Sequence, residues 1–178
     1  LAPAFADFYK TYELGPVPGI PNGSRLGGCV ISADDPNLLL VAGDSEAPTG
    51  KIYAIKVVRG NCDHIVGYDG TAQVVANTPY IDANLVLVQS GLLFYTEWPV
   101  NRISQLLPGQ MAPALTTDLG GMGVESSVSG LGIVPDGFNG AGAFRILTWS
   151  GGRWYHLQRT PNGELFTLHN PMLTATLP

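Results

Sequence analysis

The sequence predicts an all-β protein of about three four-stranded antiparallel sheets, set as the blades of a partial or self-associating β-propeller. Three observations predict it. Apolar runs are short, rich in Val, Ile, Leu, Tyr and Phe, and end at Gly, Asn, Asp or Pro, with helical periodicity nearly absent. The 23 glycines and 14 prolines are scattered between those runs, which marks many tight turns rather than low complexity. A strand pattern also recurs. Gly50-Lys-Ile-Tyr-Ala-Ile55, Asn101-Arg-Ile-Ser-Gln-Leu106 and Gly152-Arg-Trp-Tyr-His-Leu157 each run from a turn residue through a cation to apolar positions, at spacings of 51 and 51.

In chain order, residues 1–25 read as an N-terminal arm. Its 5–12 stretch is a weak helix candidate and equally an extended segment. A propeller-like domain spans 26–178. The first blade, 26–77, takes strands at 28–31, 38–42, 50–55 and 71–76. The second, 78–124, takes 84–87, 92–96, 101–106 and 114–119. The third, 125–178, takes 130–133, 144–149, 152–157 and 164–168. The first strand of each blade is expected to lie innermost, where Gly27-Gly28 and Gly130 would let backbones crowd without a Cβ. The end at Leu173-Thr-Ala-Thr-Leu-Pro178 reads as a unit left incomplete. A competing register pairs Asn37-Leu-Leu-Leu-Val with Asn84-Leu-Val-Leu-Val, 47 apart, and aligns a single strand. A Greek-key β-sandwich is the alternative architecture.

Natural propellers close with about four to eight blades, so three leave bare edges that need a partner. The expected partner is a second copy, in an oligomer or polymer, or the remainder of a longer chain. The aromatic residues Phe5, Phe8, Tyr9 and Tyr12 of the arm are the candidates for that assembly.

Composition limits the function. Charged residues make up 13% and the formal net charge is −5, with no basic run, so nucleic acid is a poor partner. No apolar stretch reaches the length of a membrane span. The start at Leu1-Ala-Pro-Ala, without Met, suggests a processed, secreted protein. Cys29 and Cys62 are the two cysteines. In this register they sit about 10 Å apart, two strand spacings, beyond the roughly 7 Å that a disulfide tolerates. Both thiols are expected free, with Cys29 a small core residue.

The motifs Leu26-Gly-Gly-Cys-Val-Ile, Asp35-Pro-Asn-Leu-Leu-Leu-Val and Thr78-Pro-Tyr-Ile-Asp82 resemble those of exported bacterial β-propeller-like proteins that often carry a PEP-CTERM sorting tail. So do Leu92-Leu-Phe-Tyr-Thr96 and Val128-Ser-Gly-Leu-Gly-Ile-Val-Pro-Asp-Gly-Phe138. The resemblance implies export and residence at the cell surface or in an extracellular matrix. It implies no catalytic residue. The Pro-Glu-Pro tail itself is not in this sequence.

The chemistry motifs are sparse. There is no Gly-x-Ser-x-Gly elbow, no metal-ligand spacing of Cys and His and no phosphate loop, and no cofactor is expected. His156 alternates with apolar neighbours as a strand histidine. The loops after the second strand of each blade are expected on one face. They carry Asp44, Glu46, Glu97, Trp98, Trp149 and Arg153, acids beside tryptophans, which is the chemistry of a shallow polysaccharide site. The first expectation is a secreted, non-enzymatic structural or adhesive protein that self-assembles. A lectin-like glycan-binding module is the alternative, and a propeller hydrolase or lyase the second alternative.

Overall fold

The structure is a computed structural model that describes every residue except Leu1, Ala6, Phe8, Lys10, Gln89 and Pro178. Among these residues twelve strands form three four-stranded sheets, each an antiparallel meander in chain order. Sheet one holds β1 (Cys29–Ile31), β2 (Leu38–Gly43), β3 (Lys51–Arg59) and β4 (Ile65–Asn77). Sheet two holds β5 (Ile81–Leu87), β6 (Leu93–Glu97), β7 (Arg102–Leu106) and β8 (Leu115–Asp118). Sheet three holds β9 (Val128–Ile133), β10 (Phe144–Thr148), β11 (Arg153–Asn162) and β12 (Leu165–Thr176).

The turns follow from local chemistry. Asp35 closes the β1–β2 turn, its carboxylate accepting the Asn37 N–H at 2.8 Å, an Asx turn. Asn101 (φ 53°) and Gly152 (φ 54°) hold the same left-handed turn position, one residue before the strand cation, in sheets two and three. Asn101 does more than turn the chain. Its side chain donates to the Val124 carbonyl at 3.0 Å and accepts the Val128 N–H at 3.0 Å, fastening sheet two to the first residue of sheet three.

The sheets stack face on face, and three apolar cores lie in series. We call the face of a sheet turned toward the later sheet its trailing face, and the other its leading face. Ala42, Ile52 and Ala76 of sheet one meet Leu85, Leu93 and Tyr95 of sheet two. Phe94 and Ile103 on the other side of sheet two meet Phe144, Ile146, Tyr155 and Leu157 of sheet three. Val17 and Ile20 of the arm cover Leu39, Val41, Tyr53 and Ile55 on the leading face of sheet one. The innermost strands are β1, β5 and β9, with β1 beside β5 and β5 beside β9. This is blade packing, and the sheets do not close into a ring. A two-layer sandwich is not what forms.

The 51-residue register sets the strand faces. Ile52, Ile103 and Trp154 pair across to Ala42, Thr96 and Leu147, at the same place in each sheet. The 47-residue register instead equates β2 with β5, a second strand with a first, and so does not describe equivalent positions.

Several expectations need correcting. Two of the fourth strands are longer than predicted: β4 begins at Ile65, and Leu173–Thr176 is the far part of β12, with Leu173 opposite Tyr155 and Ala175 opposite Trp154. Those residues complete sheet three rather than starting another unit. Among its described residues the arm shows one 3-10 turn, Pro3–Phe5, and Ala6, Phe8 and Lys10 of the 5–12 stretch lie outside them. Both thiols are free, but Cys29 is exposed and not a core residue. It shares a face with its cross-strand partner Val41, at the inner margin of sheet one where Val17 and Ile20 do not cover it. Gly27 and Gly28 do crowd a neighbouring strand: a Cβ would stand 2.3 Å from the Asp82 carbonyl oxygen and 2.5 Å from that of Ala83. Gly130 meets only Leu147 of its own sheet.

A candidate carbohydrate-binding cleft

Trp98 and Trp149 hold one position in consecutive repeats, 51 residues apart. Each is pinned in the same way, by its backbone N–H. Trp98 donates to the Tyr80 carbonyl at 2.9 Å, just before β5, and Trp149 to the Ser127 carbonyl at 2.9 Å, just before β9. The loop of sheet one reaches the same place differently: the Glu46 N–H donates to the Ile81 carbonyl at 2.8 Å. Three loops from three sheets thus converge. Glu46, Trp98 and Trp149 line one cavity of about 320 Å³, together with Asp82, Ala83, Ser127 and Ser129.

The cleft is acidic on the sheet-one side and aromatic on the other. Trp149 is 81% exposed and Trp98 36%. Glu46 is paired with Arg25 of the arm. Burial pushes the Asp82 carboxyl above its ordinary value, and the charge of Glu46 pushes it further the same way. The backbone under the cleft is held in the left-handed region at Asp44 (φ 51°), Glu46 (φ 67°) and Tyr80 (φ 60°). Such a conformation costs of order 1 kcal/mol or more for a non-glycine residue and persists where neighbouring contacts fix it.

The remaining sequence-predicted residues lie elsewhere. Asp44 does not line the cleft; it accepts a hydrogen bond from Ser24 Oγ at 2.6 Å, securing the arm. Glu97 is buried, 2% exposed, and serves the scaffold. Its carboxylate takes Arg102 Nε at 2.7 Å and the Ser104 hydroxyl, and Ser104 in turn meets Thr116 Oγ1 at 2.6 Å. Strand alternation explains the split: Glu97 ends β6 with its side chain among the strands, and Trp98 begins the turn. Arg153 pairs with Glu125 at 3.1 Å. Asp82, Ser127 and Ser129 were not assigned to the site from sequence. They sit on or just before first strands, and only the inner placement of those strands brings them to the loop face.

Of the arm candidates, Phe5 and Tyr9 are exposed and pack edge-to-face, ring centres 6.1 Å apart. Tyr12 is exposed and lies against His64, 5.7 Å away. Phe8 is outside the described residues. Among the described residues no group of three His, Cys, Asp or Glu could hold a metal ion, and no helix is long and apolar enough to cross a membrane. No protein-family model, curated protein or solved structure matches the chain.

Proposed function

We propose that this chain is a non-enzymatic carbohydrate-binding β-repeat protein that grips a linear polysaccharide in the Trp98–Trp149 cleft. The observation that carries the reading is the pair of exposed tryptophans at equivalent repeat positions, lining one cavity with two carboxylates and two serines. Indole faces stack on the C–H faces of pyranose rings, and carboxylate and hydroxyl oxygens bond sugar hydroxyls. Neighbouring sheets stand about 10 Å apart, so the two indoles would engage successive parts of an extended chain. Glu46 and Asp82 favour neutral or amino sugars over uronic acids, since a further anion there would be repelled. An adhesive role at a cell surface or in a matrix is part of the same proposal, and is supported by the resemblance carried by the turn and strand motifs.

A glycan array followed by calorimetry on the best ligand tests it. Trp98→Ala and Trp149→Ala are each expected to weaken binding about tenfold or more, the usual cost of truncating a central tryptophan. Binding unchanged in both variants overturns the reading. Release of new reducing ends from the bound glycan would overturn its non-enzymatic part and assign Asp82 and Glu46 as a carboxylate pair.

A further inference from the structure

The two carboxylates of the tryptophan cleft are not equivalent. Glu46 is paired with Arg25 of the arm. Asp82 has no cationic partner among the described residues. It is half-buried, and that burial works against its charged form, while a bond from the Ala83 backbone works for it.

The backbone fixes where this carboxylate stands. The Glu46 N–H donates to the Ile81 carbonyl at 2.8 Å, and the Gly28 N–H donates to the Asp82 carbonyl at 3.1 Å. Gly27 presses on the same group: a Cβ there would lie 2.3 Å from the Asp82 carbonyl oxygen. Three residues from the sheet-one side therefore seat Asp82. Its side chain belongs to a preset wall of the cavity rather than to a loose surface loop.

The rest of that wall has the same electrical sense. Trp98 and Trp149 line the cavity with Glu46 and Asp82, and indole faces are electron-rich. An ionised carboxylate accepts hydrogen bonds and cannot donate them. A sugar hydroxyl can supply such a bond, but it leaves the charge of Asp82 uncompensated in a place where an unpaired charge is costly. An ammonium group only donates, carries the missing charge and is attracted by an indole face. Arg25 is engaged with Glu46 and does not line the cavity, so the chain does not fill that role itself.

We infer that the cleft selects a polysaccharide bearing free amino groups, with one ammonium held by Asp82 beside the Trp98 and Trp149 indoles. N-acetylation removes the charge and adds bulk, so the acetylated polymer is the disfavoured one. Ser127 and Ser129 remain for neighbouring hydroxyls, which both donate and accept. The inference rests on the carbohydrate reading of the cleft and narrows it to a cationic sugar.

Three β-1,4-linked tetramers test it: glucosamine, N-acetylglucosamine and glucose. They differ at the C2 substituent alone. Calorimetry is run in a buffer that keeps the sugar amines protonated. The glucosamine tetramer is expected to bind about tenfold more tightly than the other two, the worth of one charge-assisted contact. Asp82→Asn is expected to abolish that preference while leaving affinity for the glucose tetramer within about twofold, and Trp149→Ala to weaken all three. Glu164→Gln removes the same charge from the β11–β12 turn, away from the cleft lining, and is expected to keep the preference. Tetralysine, cationic but without a pyranose, is expected to bind at least tenfold more weakly than the glucosamine tetramer.

Equal affinity for the three tetramers, or a preference that survives Asp82→Asn, overturns the inference and leaves the carbohydrate reading standing. A preference lost equally in Glu164→Gln, or tetralysine binding as tightly, gives the effect to the net charge of −5 and also overturns it. If none of the three binds while another glycan binds through Trp98 and Trp149, the inference alone falls. If no glycan binding depends on those tryptophans, both fall together.

Discussion

The Gln105 side chain bonds the Phe166 backbone as a neighbouring strand would. Its Nε2 donates to the Phe166 carbonyl at 2.7 Å and its Oε1 accepts the Phe166 N–H at 2.8 Å. Gln105 is fully buried on β7, and Phe166 is the second residue of β12 in the next sheet. One amide therefore satisfies both backbone groups of a residue that has no strand beside it on that side.

Gln105→Ala removes both bonds and leaves a donor and an acceptor unpaired in the junction. The expected loss is about 2–3 kcal/mol, because unmet buried polar groups cost more than a hydrogen bond gains. Urea unfolding measures it. Equal stability of variant and parent would show that water replaces the amide.

Glu97 and Trp98 are adjacent and separate scaffold from site. Glu97→Ala leaves the Arg102 guanidinium and the Ser104 hydroxyl without their shared acceptor. It is expected to cost about 2 kcal/mol, below the usual figure for a broken buried pair because Arg102 is partly exposed. Trp98→Ala is expected to move stability by less than about 1 kcal/mol while weakening glycan binding. Melting curves and calorimetry on the same two variants check the split.

Asp82 gives stability an acid-side dependence. Its carboxyl is harder to ionise in the fold than in the unfolded chain, first because it is buried and then because Glu46 is near. Such a group takes stability away as pH rises from its unfolded value, 3.8, through its raised folded value. Asp82→Asn is expected to gain on the parent across that window and to match it at lower pH. Melting temperature against pH for both proteins is the measurement, and parallel curves throughout would refute the assignment.

Gly28 and Gly130 hold one register position and are expected to answer differently to the same change. Gly28→Ala drives a methyl to 2.5 Å from the Ala83 carbonyl oxygen, so sheets one and two must part, at about 1–3 kcal/mol. Gly130→Ala meets only the Leu147 side chain at 3.2 Å and is expected to be within about 1 kcal/mol of neutral as a single chain. Unfolding at low protein concentration compares them.

Most of the fold was legible because a sheet repeat writes its faces into the sequence with period two. The Ile52, Ile103 and Trp154 series, aligned at 51, marked equivalent strands in the three sheets, and Gly27-Gly28 pointed to the first strand as the innermost. Two things were not legible. The lengths of β4 and β12 were hidden by Asn, Asp and Gly residues in solvent-facing outer strands, which read as turns. The cleft was half legible. Glu46, Trp98 and Trp149 come from loops at like positions, whereas Asp82, Ser127 and Ser129 join them through the approach of inner strands, a relation between sheets that no local pattern encodes. Glu97 misled because an acid beside a tryptophan looks like a site until the strand's last alternation is known.

The arm that lies over sheet one makes the stack unequal at its two ends. In a series of units that touch only their neighbours, local opening starts where a unit has one neighbour and no lid. For a lone chain that is the sheet with β12 at its margin. Among the three sheets, amide deuteration is therefore expected to run fastest through sheet three and slowest where the arm covers sheet one. Val17 and Ile20 thus give the polypeptide a direction of unravelling, even though its three sheets are built alike.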